Sequence, residues 1–455
     1  MDKLRIAPAS GYAAAVRVWE RRWALPLAIF VLSAGIYCAT SAQRLVRPSP
    51  NNHYVYLAHA WLLGRLDLGG DPPGTNDWAC FDTIDEGPCP PGRYSFSGPN
   101  AKRYRWYVSF PPLPAVLLLP LVAIFGLNTL DALFWALFAG LGPMLLFVVL
   151  RFLRESGRSA RTQREDLLIT TIFAIGSVYY FVAVQGTVWF AAHVVATAFV
   201  CLYLLFSFGA RRPVAAGIAL GLAFLSRPAT LLLVAFFVLQ AIGAAKQDSR
   251  LKSSSAPRLL RTLAMFALPL AVIFAATMWY NTARFADPFE FGHHLLQIRW
   301  RSRIETWGLF DVHYLPRNLT VFFLSLPWVI ESSPFIRITR HGLALWFTTP
   351  NLLWILWPKK LDATSAALWA AVLPTALCTL LYQNTGWVQF GYRFALDYLP
   401  LLFVLIALGG RRFGPTFLAC AMFAIVVNTF GAVTFDRYPQ FYDTDPTQRV
   451  IFQPD

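Results

Sequence analysis

Carboxylates among turn residues, and arginines at the edges of apolar stretches, are the groups in this sequence whose types and spacing can do chemistry. Residues 66–78 carry Asp67, Asp71 and Asp77 among Gly, Pro and Asn. Turn acids are ordinarily solvated. Asp77 differs in lying between Asn76 and Trp78. An acid beside an aromatic ring suits a sugar, and a carboxylate can take the proton of a hydroxyl. Just upstream, Asn51 and Asn52 follow Pro50 and are suited to capping a helix. His53 beside them adds a second kind of proton acceptor. On the basic side, Lys102, Arg103 and Arg105 precede Trp106 and Tyr107, where they can meet lipid headgroups or hold a phosphate against an aromatic wall. Arg284 and the alternating Arg299, Arg301 and Arg303 follow a long apolar stretch. The alternating three share a face on a strand but not on a helix. Arg393 and Asp397 stand four apart, on one helix face, where they can bind a ligand or pair with each other. Guanidinium groups match phosphate in charge and geometry. His193 is expected to be a packed, hydrogen-bonded residue, and His293 and His294 to be packed or exposed.

The elements that must position these groups are set by composition. Of 455 residues, 56% are apolar and only 14% charged, with a mean hydropathy of +0.49. A soluble domain carries about 25% charged residues, so this chain could not cover a soluble surface. The expected fold class is an all-α polytopic membrane protein. Apolar stretches near 23–40, 129–150, 167–185, 188–208, 213–226, 229–245, 262–280, 343–357, 364–382, 397–409 and 413–432 predict about 11 transmembrane helices. The 13 apolar residues Leu113–Phe125 contain Pro114 and Pro120 and are too short to cross about 30 Å. Leaving them out puts every basic cluster on one side: the N-terminus, 151–164, Arg211/Arg212, 246–261, Lys359/Lys360 and Arg411/Arg412. By the positive-inside rule that side is cytoplasmic, and the C-terminus is external. The leader is read as an uncleaved anchor. The net charge of +15 is therefore topology signal, not a nucleic-acid footprint. Long external loops at 43–128 and 281–342 suggest extracytoplasmic chemistry. Within the first, 53–66 predicts an interfacial helix with Tyr54, Leu57, Ala58, Trp61 and Leu62 on its apolar face. Cys80 and Cys89 alone lie outside the spans, and a bridge between them is expected. Gly217 and Gly221 predict close helix packing.

The order of these features resembles integral-membrane glycosyltransferases of the GT-C superfamily, especially bacterial relatives of protein O-mannosyltransferases and aminoarabinose transferases. The likeness rests on one span, a long loop opening with a helix, and the Pro111-Pro112-Leu113 turn. It continues with 217–228 ending Ser226-Arg227-Pro228, with Tyr280-Asn281, Arg284-Phe285 and 287–292, and with 389–400. It covers nearly the whole chain as a single domain, 1–455. The resemblance implies transfer of a sugar from a polyprenyl-phosphate donor to a lipid, glycan or protein acceptor at the external face of a bacterial inner membrane. It implies membrane lipids as further partners, no nucleic acid, and no cofactor, with a divalent metal left open. The family's acid near the start of the first loop is replaced here by Asn51-Asn52-His53. Either another acid of the loop then takes the acceptor-activating role, Asp77 first, with Asn52 and His53 beside it, or the activity differs or is lost. Arg105, Arg227, Arg284, Arg393 and Asp397 are the implied substrate-binding residues. A lipid-carrier flippase would share the many spans but would not need so long a first loop, and no repeated halves are visible. A non-catalytic envelope scaffold, descended from a transferase with its acid lost, is the second alternative, and the Asn51-Asn52 pair keeps it open.

Overall fold

The computed structural model describes residues 9–93, 95–249 and 256–443. Lys3 and Arg5 of the N-terminal cluster, Arg250 and Lys252 of the central loop, and Asp445 of the tail lie outside them.

Seven helical stretches are long and apolar enough to cross a membrane: Trp23–Val46, Asp131–Glu155, Val188–Ala210, Pro228–Lys246, Ala256–Phe285, Ala363–Leu380 and Pro415–Thr434. Leu113–Asn128, Pro213–Phe224 and Leu399–Leu408 are shorter. The predicted stretches that are not single helices are broken in the protein interior. Residues 167–185 become Gln163–Ile175 and Val178–Ala183, and 343–357 become Leu345–Thr348 followed by a 3-10 helix, Pro350–Leu356. A break frees backbone groups that lipid cannot satisfy, and buried side chains take them up here. Thr349 Oγ1 donates to the Gly176 carbonyl, Asn351 Nδ2 to Phe417, and Asn428 Nδ2 to Thr348, at 3.1, 2.9 and 2.7 Å.

Basic clusters gather at one end of the bundle. Arg154 pairs with the fully buried Asp166 at 2.7 Å. Arg161 donates to the carbonyls of Ile406 and Ala407, in the last turn of helix Leu399–Leu408, and of Arg411 beyond it, and lies 3.8 Å over the Phe413 ring. Lys359 N donates to Gly409 O. At the other end the chain turns around a large cavity. Helix Leu113–Phe125 has both ends on that cavity side. Leu113 N donates to Leu225 O, two residues before Arg227. Beyond its other end, Asp131 accepts from Ser49 N and Oγ, at 2.8 and 2.6 Å.

The two long loops are not all helical, which corrects the all-α expectation. Strands β1 (Trp78–Asp82), β2 (Gly87–Pro88) and β3 (Tyr104–Val108) form an antiparallel sheet in the order β2-β1-β3. The Cys80–Cys89 bridge is present, with Cα atoms 5.5 Å apart. Arg103 holds both oxygens of the buried Asp82, at 2.7 and 2.8 Å. Residues 295–297 of the second long loop join β1 through an Ala79–Leu296 bridge. A second sheet joins β4 (Trp328–Val329), β5 (Ile336–Thr339) and β6 (Tyr442–Asp443).

The predicted interfacial helix is His53–Leu62, shorter than expected. Tyr54, Leu57 and Ala58 are buried as its apolar face, but under helix Leu113–Phe125 and β3 rather than in lipid; Leu62 is exposed. Asn52 occupies the N-cap position without a side-chain capping bond. Its carbonyl accepts from Val55 and Tyr56 instead.

Candidate active site

A cavity of about 1190 Å³ opens where the loops meet the bundle. Its lining carries Arg44, Arg47, Arg227, Arg340, Arg393 and Arg437, against two carboxylates, Asp77 and Asp436. A cavity with this charge balance attracts an anion.

Asp77 is the carboxylate the fold works to place. It takes φ +56°, a left-handed conformation that Asp adopts more readily than most residues. The turn is fixed from behind by His53, whose Nε2 lies 2.8 Å from the Asn76 carbonyl while its ring stacks on Trp78 at 3.9 Å. A carbonyl only accepts, so Nε2 carries the proton. Burial pulls the His53 pKa down to about 4, keeping that ring neutral. From the bundle side, Trp189 Nε1 donates to Asp77 Oδ2 at 2.6 Å. Trp189 stands at the start of helix Val188–Ser207, anchored where Val188 N donates to Asn51 O. Burial raises the Asp77 pKa, while the Trp189 N–H and the charge of Arg393 oppose that rise.

Arg393 opens the 3-10 helix Arg393–Asp397. Its Nη1 donates to Val388 O at 2.9 Å, and the guanidinium lies 5.0 and 5.5 Å from the ring centres of Phe190 and Phe394. Nε has no partner. Among the described residues no carboxylate forms an ion pair with it. Asp397 pairs instead with Arg227, by two bonds of 2.9 and 2.8 Å, which sets aside the alternative of an Arg393–Asp397 pair. Arg227 leans on the Phe394 ring from 5.1 Å. Phe394 thus holds two guanidinium groups in place, one neutralised and one not.

Several sequence candidates fall elsewhere. Arg284 does not line the cavity. It is buried, donating to Val108 O and Asn281 Oδ1 at 2.9 Å each, between Tyr280 and Phe285. Its work is to tie β3 to helix Ala256–Phe285. Arg105 sits half-exposed in a separate cleft of about 710 Å³, 4.0 Å from Asp67. Asn52 and His53 stand behind the Asp77 turn, outside the lining. Arg301 and Arg303 lie on a helix, Arg301–Trp307, and bind the carbonyls of Cys89 and Gln383.

The rim contains residues that sequence reasoning passed over. Arg437 Nη2 donates to the carbonyls of Thr40 and Ser41, at 2.7 Å each, and Arg44 Nη2 to Phe435 O at 2.8 Å. Each stands just past the apolar stretch of a first or last span. That position was the available signal. Trp189 had none beyond its ring.

No family model matches the chain, and no curated protein matches it. Two structures of the Archaeoglobus fulgidus oligosaccharyltransferase are similar to it. One is the apo form, at 14% identity and a TM-score of 0.44. The other, named AglB, is in complex with an inhibitory peptide and a dolichol-phosphate, at 13% identity and a TM-score of 0.45. Each similarity covers 91% of this chain and 56% of the other, so this chain spans little more than half the length of those structures.

Proposed function

We propose that this chain is a GT-C glycosyltransferase, moving a hexose or pentose from a polyprenyl-phosphate donor to a lipid, glycan or protein acceptor at the external face of a bacterial inner membrane. The observation that carries it is the meeting in one cavity of a half-buried carboxylate, Asp77, and an arginine without an ion-pair partner, Arg393. The chain crosses the membrane eleven times in this reading, with the N-terminus cytoplasmic and the C-terminus external. Supporting it, the ends of successive apolar elements alternate between the cavity and the basic end, the broken stretches included.

In the reaction, an acceptor hydroxyl oxygen bonds to the anomeric carbon as the bond from that carbon to the phosphate oxygen breaks. The electron pair leaves with the phosphate, and the hydroxyl proton goes to Asp77. Oδ2 is occupied by Trp189, so Oδ1 is the receiving atom. A raised pKa makes Asp77 a stronger base than a solvated carboxylate. The Arg393 charge favours the phosphate as negative charge grows on it. Arg227, neutralised by Asp397, contributes its position more than its charge.

The test pairs a turnover assay, using labelled polyprenyl-phosphate sugars and membrane acceptors, with donor binding. Asp77→Asn is expected to lower transfer by about 10²–10⁴-fold and leave donor binding intact. Arg393→Ala is expected to weaken donor binding by about 10- to 100-fold. Asp67→Asn and Asp71→Asn serve as controls. Near wild-type transfer by Asp77→Asn overturns the assignment of the base.

A further inference from the structure

His193 was expected to be a hydrogen-bonded packing residue, and the structure meets that expectation at only one of its ring nitrogens. It stands on helix Val188–Ser207 in the cavity wall, 1% exposed, and its Nε2 has no hydrogen-bond partner. Its Nδ1 lies 3.4 Å from Asp397 Oδ1. Its ring is tilted beside Phe394, 5.9 Å between centres, on the residue that also carries Arg227 and Arg393.

Asp397 determines what this imidazole can bind. With Arg227 clamped on both of its oxygens, Asp397 is an ionised carboxylate and can only accept hydrogen bonds. The nitrogen facing it must carry the ring proton. Nε2 then presents a lone pair, and buried polar atoms are almost always partnered. An acceptor cannot satisfy a phosphate oxygen, which is itself an acceptor. It can satisfy a hydroxyl. We propose that His193, oriented by Asp397, is a specificity-determining residue that accepts a hydrogen bond from a hydroxyl of the sugar being transferred. This rests on the glycosyl-transfer function proposed above and adds the part of the donor that this side chain recognises.

The experiment compares the affinity of the full-length protein for farnesyl phosphate with its affinity for farnesyl phosphate carrying mannose, glucose, galactose or arabinose. Wild type is expected to bind the bare phosphate and to gain about threefold to tenfold with at least one sugar, the scale of one hydrogen bond. His193→Phe is expected to keep the bare-phosphate affinity and lose the gain. His193→Gln, whose amide oxygen can accept near the place of Nε2, is expected to restore part of it. Failure of wild type to bind farnesyl phosphate removes the proposed function, and this inference with it. Three results overturn the inference alone: no gain with any sugar, a gain that survives in His193→Phe, or a loss of bare-phosphate binding in His193→Phe, which would mean that His193 only supports the Arg227–Asp397 pair. Should His193→Phe fail to fold, ¹⁵N shifts of the histidines in wild type decide. A His193 protonated at Nε2 alone overturns the inference, and protonation at Nδ1 with Nε2 bare supports it.

Discussion

Asp77 shows how one side chain collects its properties from several elements. The external turn gives it a left-handed backbone, His53 holds the preceding carbonyl, and Trp189 supplies an N–H from the bundle. Burial disfavours the charged form, so its pKa lies above the ordinary carboxylate value. The sign follows directly. The base form is lost by protonation as pH falls, and the loss sets in at a higher pH than for a solvated Asp. The acid limb of kcat/KM is therefore expected above the usual carboxylate range. Trp189→Phe removes a bond that lowers the pKa, so it should move the limb to still higher pH. A limb that stays at an ordinary carboxylate value in both proteins contradicts the role of Asp77. The sequence marked Asp77 through its aromatic neighbour, and marked Arg393 through its place at a span end. It could not distinguish Arg393 from Arg284, because both stand at such an end. Which way the guanidinium turns depends on whether a carbonyl such as Val108 O waits nearby.

At the scale of elements, the contact of helix Pro213–Phe224 with helix Ala256–Phe285 depends on small residues. A Cβ on Gly217 would collide with the Phe266 carbonyl oxygen, and one on Gly221 with the Ile273 side chain. Helix Ala256–Phe285 otherwise turns Leu260, Met265, Leu268, Val272 and Trp279 outward, so few other contacts hold it in the bundle. Gly217→Leu is expected to destabilise the fold by about 1–3 kcal/mol, the usual cost of overpacking. Reversible unfolding in mixed micelles measures it, and an unchanged midpoint rules out the close contact. These two glycines were legible from their four-residue spacing. The breaks at Gly176 and Thr349 were legible only as short apolar runs. A chain inside protein can leave the helix wherever a distant Asn or Thr covers the freed carbonyl, and the residues that do so, such as Asn428, lie far away in sequence. Of the apolar face expected for His53–Leu62, Tyr54, Leu57 and Ala58 are buried and Leu62 is not, and the covering is a helix and a strand. A hydrophobic stripe looks the same whether lipid or another helix meets it.

At the scale of the whole molecule, the described residues place basic groups at both ends: Arg154, Arg158, Arg161, Lys359 and Arg411 lie together at one, and six arginines line the cavity at the other. In the eleven-pass arrangement a cysteine placed at position 211 is labelled only from the cytoplasm, and one at position 77 only from outside. Labelling of position 211 from outside with a membrane-impermeant maleimide reverses the arrangement. The cavity rim joins the two ends of the chain, with Arg437 on the carbonyls of Thr40 and Ser41 and Arg44 on that of Phe435. During synthesis, Thr40 and Ser41 emerge with the first span, and Arg437 only after helix Pro415–Thr434. Until that last helix is inserted, the wall carrying Phe435, Asp436 and Arg437 does not exist, and the cavity stands open on one side. A nascent chain therefore holds Asp77, His193 and Arg227 long before the wall that faces them is in place.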